Sequence, residues 1–403
     1  MKFKRLIIYI LTLIIILAGA NISFASEDIH SESAILIDST TGKTLYEKNS
    51  TEKMYPASTT KILTSIIAIE NGKLDDKTTV KRDAIAVIPS GYSSAYLSEG
   101  EEITVKELLE VFLIHSANEA GNVLAEYISG SIDEFVNLMN QKASELGCEN
   151  THFVNTNGIH NENHYTMAKD LAIIARYCMQ NQTFREIVSM KSCTIPKTNK
   201  SDKRFYKNTN DLINPSSPYY LSYCIGIKTG YTSQAKNCLI SACNKDGLEL
   251  IAVVLGAPNL PNRKSARYID STTLYNYGYS NYKMKQIASK GDVVYNIDVN
   301  KGNKETKNLD LVLGDDVKSL VNINDENVTY SIDLEDNIEA PISANSNLGT
   351  ITYTVGDSTY STKLLASHDV YKNDFTFIIG IILALILILI LSIILIVIKN
   401  KKK

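Results

Sequence analysis

The amino-acid sequence predicts an α+β fold, followed by a small C-terminal all-β domain and a C-terminal transmembrane helix. In the α+β part, an antiparallel sheet is flanked by helices and contains a helical insertion. Three observations lead to this prediction: strand-like segments lie on both sides of a long helical region, alternating strand patterns dominate after about residue 281, and an uncharged apolar segment closes the chain. The length of 403 residues allows two or three packed domains.

Residues 1–25 have the features of a secretory signal peptide. Three basic residues precede an apolar run from Leu6 to Leu17, and the tripeptide ending at Ala25 resembles the small-residue cleavage pattern. The apolar run is short for a membrane span, which favours cleavage over the alternative of an uncleaved N-terminal anchor. We therefore expect the body of the protein to be exported.

Residues 30–280 are predicted to form one domain whose sheet combines segments from both of its ends. Ser33–Asp38 and Thr44–Lys48 have the pattern of a β-hairpin, and Ala57–Glu70 has that of a buried helix. The region 104–185 is mainly helical, with capping-box sequences before two of its helices. The later elements are three strands and one helix, at Tyr223–Tyr231, Asn237–Cys243, Leu248–Leu255 and Lys264–Tyr277.

The C-terminal part of the chain changes character twice. Residues 281–368 show strand alternation and predict a separate β domain, and residues 369–376 are a linker. Residues 377–398 contain no charge and are long enough to cross a bilayer as a helix. Residues 399–403 are rich in lysine, so the positive-inside rule places this tail in the cytoplasm. Together with a signal peptide, these features predict a single-pass protein of the cell membrane with an extracytoplasmic catalytic body.

The predicted extracytoplasmic body is acidic. The chain has a net charge of −3, and its two termini contribute seven positive charges without any acid, which leaves about −10 between them. An acidic surface is a poor match for nucleic acid, so we expect no nucleic-acid partner. The six cysteines show no CxxC or Cys/His spacing, so we expect free, mostly buried thiols and neither a metal nor another cofactor.

Three short motifs occur in order along the predicted catalytic domain. They are S-x-x-K, S-x-N and K-T-G, and they comprise Ser58 and Lys61, Ser116 and Asn118, and Lys228, Thr229 and Gly230. Each motif alone has an ordinary explanation, as a helix cap, an interhelical turn or a strand end. Their order, and their positions at a buried helix start, between two helices and at the end of a strand, favour a shared catalytic site.

The S-x-x-K motif can supply a nucleophile and its base. Ser58 and Lys61 are three residues apart at a helix start and therefore share one face. A serine hydroxyl needs an adjacent base, and a lysine can be that base when burial or a neighbouring cation lowers its pKa. The other motifs add a hydroxyl and an amide for proton relay and substrate binding, and a cation suited to a substrate carboxylate.

With these motifs in place, the chain resembles the low-molecular-mass penicillin-binding proteins of the serine-type D-alanyl-D-alanine carboxypeptidase family, which are relatives of β-lactamases. The resemblance covers about residues 30–368 and includes the stretches LIHSANEAGNVLAEYISG, FVNTNGIHNENHYTMAKDLAIIARY and GIKTGYTSQAKNCLISA. It implies a β-lactamase-like catalytic domain, reaction through an acyl-enzyme, and no cofactor. The implied partners are peptidoglycan stem peptides ending in D-Ala-D-Ala, β-lactam antibiotics, and the membrane through the C-terminal helix.

The resemblance also implies roles for the residues of the first two motifs. Ser58 would be the acylated nucleophile, and Lys61 would be its general base. Ser116 and Asn118 would belong to the set of groups that relay protons and hold the substrate.

Further roles follow from the resemblance for the last third of the catalytic domain. Lys228 and Thr229 would contact the substrate, and Gly230 would allow its backbone to approach closely. The backbone N–H of Tyr231 would form the oxyanion hole together with that of the nucleophile. Arg267 matches the position of a family arginine near the terminal carboxylate of the substrate.

Two other classes of function compete with a carboxypeptidase. A class A β-lactamase would need a glutamate that positions the deacylating water, and no E-x-x-L-N stretch follows Asn118. A catalytically inactive penicillin- or wall-sensing protein would not need the intact Ser58, Lys61 and Lys228. The chain departs from the family at Lys236, where the family has the glycine of A-G-x-C-L, and we expect this change to affect the loop conformation or the substrate preference.

Overall fold

The computed structural model describes residues 29–324, 327–356, 358–373 and 376–401. The chain divides into two compact units, with the boundary between Ser280 and Asn281. The predicted signal peptide lies outside the described residues. A helix-flanked antiparallel sheet in the first unit and β-sheets in the second confirm the predicted fold class.

The strands of the first unit form one large sheet and two short ribbons. They are β1 (Ser33–Asp38), β2 (Thr44–Lys48), β3 (Lys77–Thr79), β4 (Glu102–Thr104), β5 (Ser192–Ile195), β6 (Arg204–Lys207), β7 (Cys224–Thr232), β8 (Lys236–Lys245) and β9 (Leu248–Ala257). The large sheet is antiparallel with the order β2-β1-β9-β8-β7, and β3–β4 and β5–β6 form the ribbons. Because β1 pairs with β9, the two ends of the unit join at the centre of the sheet, as the sequence predicts.

Eight helices belong to the described part of the first unit. They are α1 (Lys61–Asn71), α2 (Arg82–Ala86), α3 (Val105–Ile114), α4 (Asn118–Ser129), α5 (Ile132–Glu145), α6 (Ala168–Met179), α7 (Gln182–Ser189) and α8 (Ala266–Asn281). The central helix is α1, in which Ile62, Leu63 and Ile66 are fully buried. The capping box that the sequence predicts at Thr104 and Glu107 is formed in both directions at the start of α3.

Several features of the first unit differ from the sequence prediction. The capping box predicted at Ser131 and Glu134 is formed in one direction, from the backbone N of Glu134 to Ser131 Oγ, and the helix predicted over Lys264–Tyr277 is observed at Ala266–Asn281. The helix predicted from Ala57 begins with a 3₁₀ turn, Ala57–Thr60, and α-helical geometry starts only at Lys61. Ala57 has a φ of 47°, so its backbone cannot belong to a right-handed helix. The ribbons β3–β4 and β5–β6 were not predicted, because strands of three or four residues are too short to show a clear alternation.

The second unit contains seven strands among its described residues. They are β10 (Tyr282–Ala288), β11 (Val293–Asp298), β12 (Asn308–Leu313), β13 (Val317–Asn322), β14 (Val328–Leu334), β15 (Asn347–Val355) and β16 (Ser358–Ala366). Five of them form a sheet with the order β11-β12-β16-β15-β14, and β10 pairs with β13. The alternating Ile351, Tyr353 and Val355 of β15 are buried in the core of this unit.

A long helix, α9 (Thr376–Lys401), ends the described part of the chain. Its segment Ile379–Val397 is long and apolar enough to cross a membrane. None of that segment is buried against other parts of the protein. Such a helix matches the length and composition that a bilayer span requires.

Candidate active site

Ser58 lies in the 3₁₀ turn Ala57–Thr60, which we call the serine turn. Its neighbour Ala57 has a left-handed φ of 47°, a conformation that persists in non-glycine residues only where the surrounding structure fixes it. Two glycines permit the contacts that do so. A Cβ atom at Gly158 would lie 1.8 Å from the carbonyl oxygen of Ala57, and one at Gly230 would lie 3.0 Å from the backbone N of Ser58. Two distant segments therefore hold the serine turn through their backbones.

Lys61 begins α1 and is fully buried next to Ser58. Its Nζ lies 3.0 Å from Ser58 Oγ, 2.8 Å from Asn118 Oδ1 and 2.5 Å from the carbonyl oxygen of Asn157. The ring of Phe112 lies below the same amine, with its centroid 5.2 Å from Nζ. Three polar contacts from three chain segments thus fix the amine within hydrogen-bond distance of the serine hydroxyl.

The surroundings of Lys61 favour its neutral form. Burial is the largest cause and lowers the pKa of Lys61 well below its ordinary value of 10.5. The charge of Lys228 lowers this pKa further, whereas the carboxylate of Glu119 acts in the opposite direction. A larger fraction of Lys61 is therefore neutral near pH 7 than for an exposed lysine, and a neutral amine can accept a proton from Ser58.

Ser116 and Asn118 lie at the junction of α3 and α4. Ser116 has a φ of 68°, which reverses the chain between the two helices, and its side chain lines the same cavity as Ser58. Asn118 accepts a hydrogen bond from Lys61 and donates one of 2.9 Å from Nδ2 to the carbonyl oxygen of Ser93. Asn118 therefore connects Lys61 to the segment 90–93, which forms another wall of the cavity.

Strand β7 brings Lys228 and Thr229 to the site. Lys228 is buried, and its Nζ donates a hydrogen bond of 3.0 Å to the carbonyl oxygen of Thr229. Burial, followed by the charge of Arg267, lowers the pKa of Lys228 to about 7. The hydroxyls of Thr229 and Thr209 are 2.7 Å apart, so Thr209 orients the threonine of the K-T-G motif.

The remaining residues that the sequence singles out lie at the end of β7 and the start of α8. The side chain of Tyr231 is exposed at the rim of the cavity. Arg267 donates hydrogen bonds to the carbonyl oxygen of Gly230 at 3.4 Å and to the hydroxyl of Tyr268 at 3.2 Å. Arg267 Nε is buried and has no hydrogen-bond partner among the described residues. The guanidinium therefore lies beside the K-T-G strand at the wall of the cavity.

One cavity of about 580 Å³ is bordered by most of these residues, whereas Lys61 and Lys228 are buried and are not among its lining residues. It is lined by Ser58, Ser90, Gly91, Tyr92, Ser93, Ser116, Asn118, Gly158, Ile159, Thr209, Thr229, Gly230, Tyr231, Thr232, Ser233, Gln234 and Arg267. Its volume is within the range of small-molecule sites. The described residues contain no group of three His, Cys, Asp or Glu side chains that could hold a metal ion. These groups offer a serine hydroxyl in hydrogen-bond contact with a buried lysine amine, and a guanidinium at the wall of the cavity.

Comparison with known sequences identifies both units. Residues 20–259 match the profile of the D-alanyl-D-alanine carboxypeptidase family. The chain belongs to this family. Residues 282–372 match the C-terminal domain of penicillin-binding protein 5, so the family resemblance extends over both units.

Individual relatives support this membership. The D-alanyl-D-alanine carboxypeptidase DacF of Bacillus subtilis (strain 168) is 34% identical over 92% of this chain and 96% of its own length. The D-alanyl-D-alanine carboxypeptidase of Streptomyces sp. (strain K15) is 36% identical over 60% of this chain and 84% of its own length. Among solved structures, PBP3 from Streptococcus pneumoniae has a TM-score of 0.71 at 26% identity and covers 85% of this chain, with all of its own length matched.

Sequence reasoning missed three residues of this carboxypeptidase-family site. Asn157 supplies the carbonyl oxygen closest to Lys61 Nζ, Gly158 packs on the serine turn, and Thr209 orients Thr229. The first two lie in the stretch FVNTNGIH, which carries part of the family resemblance. That resemblance was the available signal, although it did not indicate that a backbone carbonyl makes the contact.

Lys236 occupies a position at which the family has a glycine, and its backbone dihedral angles are those that favour glycine. Its φ is 56°, in the left-handed region that favours glycine. Its side chain forms an ion pair with Glu32, and both side chains are about half exposed. The lysine thus keeps the glycine-like backbone, and a surface ion pair of this kind offsets little of the strain.

Proposed function

We propose that this chain is a serine-type D-Ala-D-Ala carboxypeptidase that releases the terminal D-alanine of peptidoglycan stem pentapeptides through an acyl-enzyme on Ser58. The observation that carries the proposal is the 3.0 Å distance between Ser58 Oγ and the Nζ of a fully buried Lys61. A hydroxyl that lines the cavity thereby meets a buried base with a lowered pKa. Membership of the D-alanyl-D-alanine carboxypeptidase family supports the choice of substrate.

Acylation begins when Ser58 Oγ attacks the carbonyl carbon of the penultimate D-Ala and neutral Lys61 accepts the hydroxyl proton. The Lys61 ammonium is then stabilised by Asn118 Oδ1 and the carbonyl oxygen of Asn157, because both already accept hydrogen bonds from Nζ. The negative charge on the substrate oxygen develops beside the backbone N–H groups of Ser58 and Tyr231, the proposed oxyanion hole.

Collapse of this tetrahedral species breaks the peptide bond. The proton held by Lys61 passes to the amine of the terminal D-Ala, and Ser116 can relay it. The amine then leaves, and an ester remains on Ser58. A water molecule then attacks the ester carbonyl, loses its proton to Lys61, and releases the shortened peptide and free Ser58. A β-lactam would acylate Ser58 in the same way, with opening of its ring in place of a leaving group.

The free carboxylate of the substrate is recognised by cations in this proposal. Thr229 and Arg267 line the cavity and can donate hydrogen bonds to a carboxylate, whereas Lys228 is buried beside Thr229 and contributes its charge. A charge-assisted hydrogen bond is stronger than a neutral one. Arg267 contributes its positive charge. A cleft that selects a free C-terminus acts as a carboxypeptidase.

We also propose that α9 anchors the protein in the cell membrane, with the catalytic unit outside and residues 399–403 in the cytoplasm. The support is the apolar segment Ile379–Val397 and the lysines that follow it. Protease added to wall-stripped cells should then release a soluble, penicillin-binding fragment. A catalytic unit that resists the protease until the membrane is opened would contradict this orientation.

Intact-mass analysis after incubation with penicillin tests the enzyme assignment. We expect one covalent adduct on a peptide containing Ser58, no adduct in a Ser58→Ala variant, and release of D-Ala from a stem pentapeptide by the unmodified protein. An adduct that persists in Ser58→Ala contradicts the assignment of the nucleophile. Rapid turnover of penicillin without D-Ala release would support a β-lactamase instead, and a stable adduct without D-Ala release would support a sensor.

A further inference from the structure

Two of the six cysteines face each other across the strands β7 and β8. Cys224 pairs with Cys243 in the register of these antiparallel strands. The backbone N of Asn244 donates a hydrogen bond of 2.9 Å to the carbonyl oxygen of Tyr223, which makes that neighbouring pair hydrogen-bonded. The register shifts between Cys224 and Gly226, so the type of the cysteine pair follows from its other side, towards Tyr223 and Asn244. Because hydrogen-bonded and non-hydrogen-bonded pairs alternate there, Cys224 and Cys243 form a non-hydrogen-bonded pair, the closer of the two types, with Cα atoms about 4.5 Å apart.

We propose that Cys224 and Cys243 are a site of covalent modification, at which a cross-strand disulfide forms when a low-molecular-mass disulfide of the glutathione class supplies the oxidising equivalents. A Cα separation of about 4.5 Å is within the range that a disulfide spans. The proposal is independent of the carboxypeptidase function.

The contacts of the two thiols agree with this geometry. Burial raises the pKa of the Cys243 thiol, and the neighbouring Cys224 side chain raises it further, as expected for two thiols on facing strand positions. Cys243 is buried, and Cys224 is partly exposed. A reagent can therefore reach the pair through Cys224, whose Sγ otherwise lies 3.3 Å from the carbonyl oxygen of Gly226.

The other four cysteines have different neighbours. Cys148, Cys178 and Cys238 place their Sγ atoms against backbone carbonyl oxygens, at 3.8, 3.5 and 3.5 Å respectively. Cys193 faces Tyr206 on the adjacent strand. The pairing of two thiols across one ladder is thus specific to Cys224 and Cys243.

The disulfide forms in two exchange steps. The thiolate of Cys224 attacks oxidised glutathione, whose S–S bond breaks, and one glutathione leaves while the other remains bound to Cys224. Cys243 then loses its proton and attacks the Cys224 sulfur, which releases the second glutathione. The two cysteines lose two electrons and two protons, and the glutathione disulfide gains both. Because the pKa of Cys243 is raised, the second step should accelerate as the pH rises.

The link is expected to stabilise the catalytic unit without changing its chemistry. It closes a loop of 18 residues between Cys224 and Cys243, which restricts the unfolded chain. Lys228 is four positions after Cys224, about 13 Å along an extended strand, so the site groups are distant from the new bond. We expect the Tm to rise by at least about 3 °C and the acylation rate by penicillin to change less than about twofold.

The test uses the detergent-solubilised full-length protein, first reduced and then incubated with oxidised glutathione at pH 8.5. After denaturation and alkylation, the six labelled cysteines of the reduced protein should fall to four. Digestion with trypsin should then yield the peptide of residues 208–228 joined by a disulfide to the peptide of residues 237–245. Fragmentation in the mass spectrometer should place the bond at Cys243 rather than at Cys238. Six labelled cysteines after oxidation, or a link through Cys238, would overturn the proposal.

Single variants supply the matched controls. Cys224→Ser and Cys243→Ser should each keep all five remaining labels after oxidation and show no rise in Tm. Cys193→Ser, which removes a cysteine outside the pair, should fall from five labels to three and show the full rise in Tm. A loss of two labels in Cys224→Ser would show that another pair reacts and would refute the assignment.

Discussion

Replacing Lys61 with methionine is the most direct perturbation of the proposed chemistry. The side chain keeps its approximate volume, but Ser58 loses the amine 3.0 Å from its hydroxyl. A positioned general base contributes about 10²–10⁴-fold to a rate. We therefore expect acylation by a fluorescent penicillin, followed by stopped flow, to slow by at least about 100-fold.

The stability change in this variant can be judged from the same contacts. Asn118 Oδ1 and the carbonyl oxygen of Asn157 each lose a donor, and each unsatisfied buried acceptor costs about 1–3 kcal/mol. Removal of a buried amine that could become charged offsets part of this loss. Thermal unfolding of the Lys61→Met variant should therefore show a folded protein of lower Tm, which separates loss of the base from loss of the fold.

Lys61→Arg separates a base from a cation. Arginine keeps a positive charge and several donors, but it is not deprotonated in proteins and cannot accept the proton of Ser58. We expect Lys61→Arg to acylate as slowly as Lys61→Met. Acylation of either variant within about tenfold of the unmodified rate would refute the reasoning, because the base would then lie elsewhere.

Three other predictions follow from the site. Lys228 has a pKa of about 7 in the folded protein and 10.5 ordinarily, so the unfolded state binds more protons between these values and stability rises with pH. In urea titrations, we expect the difference in unfolding free energy between the unmodified protein and Lys228→Met to increase by about 2 kcal/mol from pH 7 to pH 9. A difference that does not change with pH would contradict the lowered pKa. Arg267→Ala should reduce kcat/KM for a pentapeptide by roughly ten- to a hundred-fold while barely changing cleavage of its C-terminal amide, and equal losses on both would point to a folding defect. Gly158→Ala should strongly slow penicillin acylation, because the added Cβ displaces Ala57. The control Gly130→Ala has a similar φ but open space around it, and it should be acylated at the normal rate. Equal rates in the two variants would show that the serine turn tolerates the shift.

The sequence predicted the parts of the molecule that depend on local patterns. The spacing of Ser58 and Lys61 at a helix start, the capping box at Thr104, and the hairpin of β1 and β2 all follow from neighbours in the chain. The Asn157 contact could not be predicted in this way, because a backbone carbonyl has no sequence signature and its distance from Lys61 depends on tertiary packing.

The backbone conformation of Ala57 and the pKa of Lys228 could not be predicted from the sequence either. The left-handed φ of Ala57 is held by Gly158 and Gly230, which lie 100 or more residues away in the chain. The lowered pKa of Lys228 arises from burial and from a guanidinium on another element. Gly230 was predicted to allow a close approach of the substrate, and the structure shows in addition a close approach to the backbone of Ser58.

The serine turn can take its final conformation only after distant parts of the chain have folded against it. Ser58 and Lys61 are synthesised early, but the partners that shape them lie at Asn118, Asn157 and Gly230. A nascent chain translated only as far as residue 200 lacks β7 and therefore the contact of Gly230 with the backbone of Ser58. With Ser58 as the proposed nucleophile, we expect covalent labelling by penicillin to count only molecules whose first unit has finished folding. In a pulse-chase experiment, the delay between synthesis and labelling would time the completion of that unit inside the living cell.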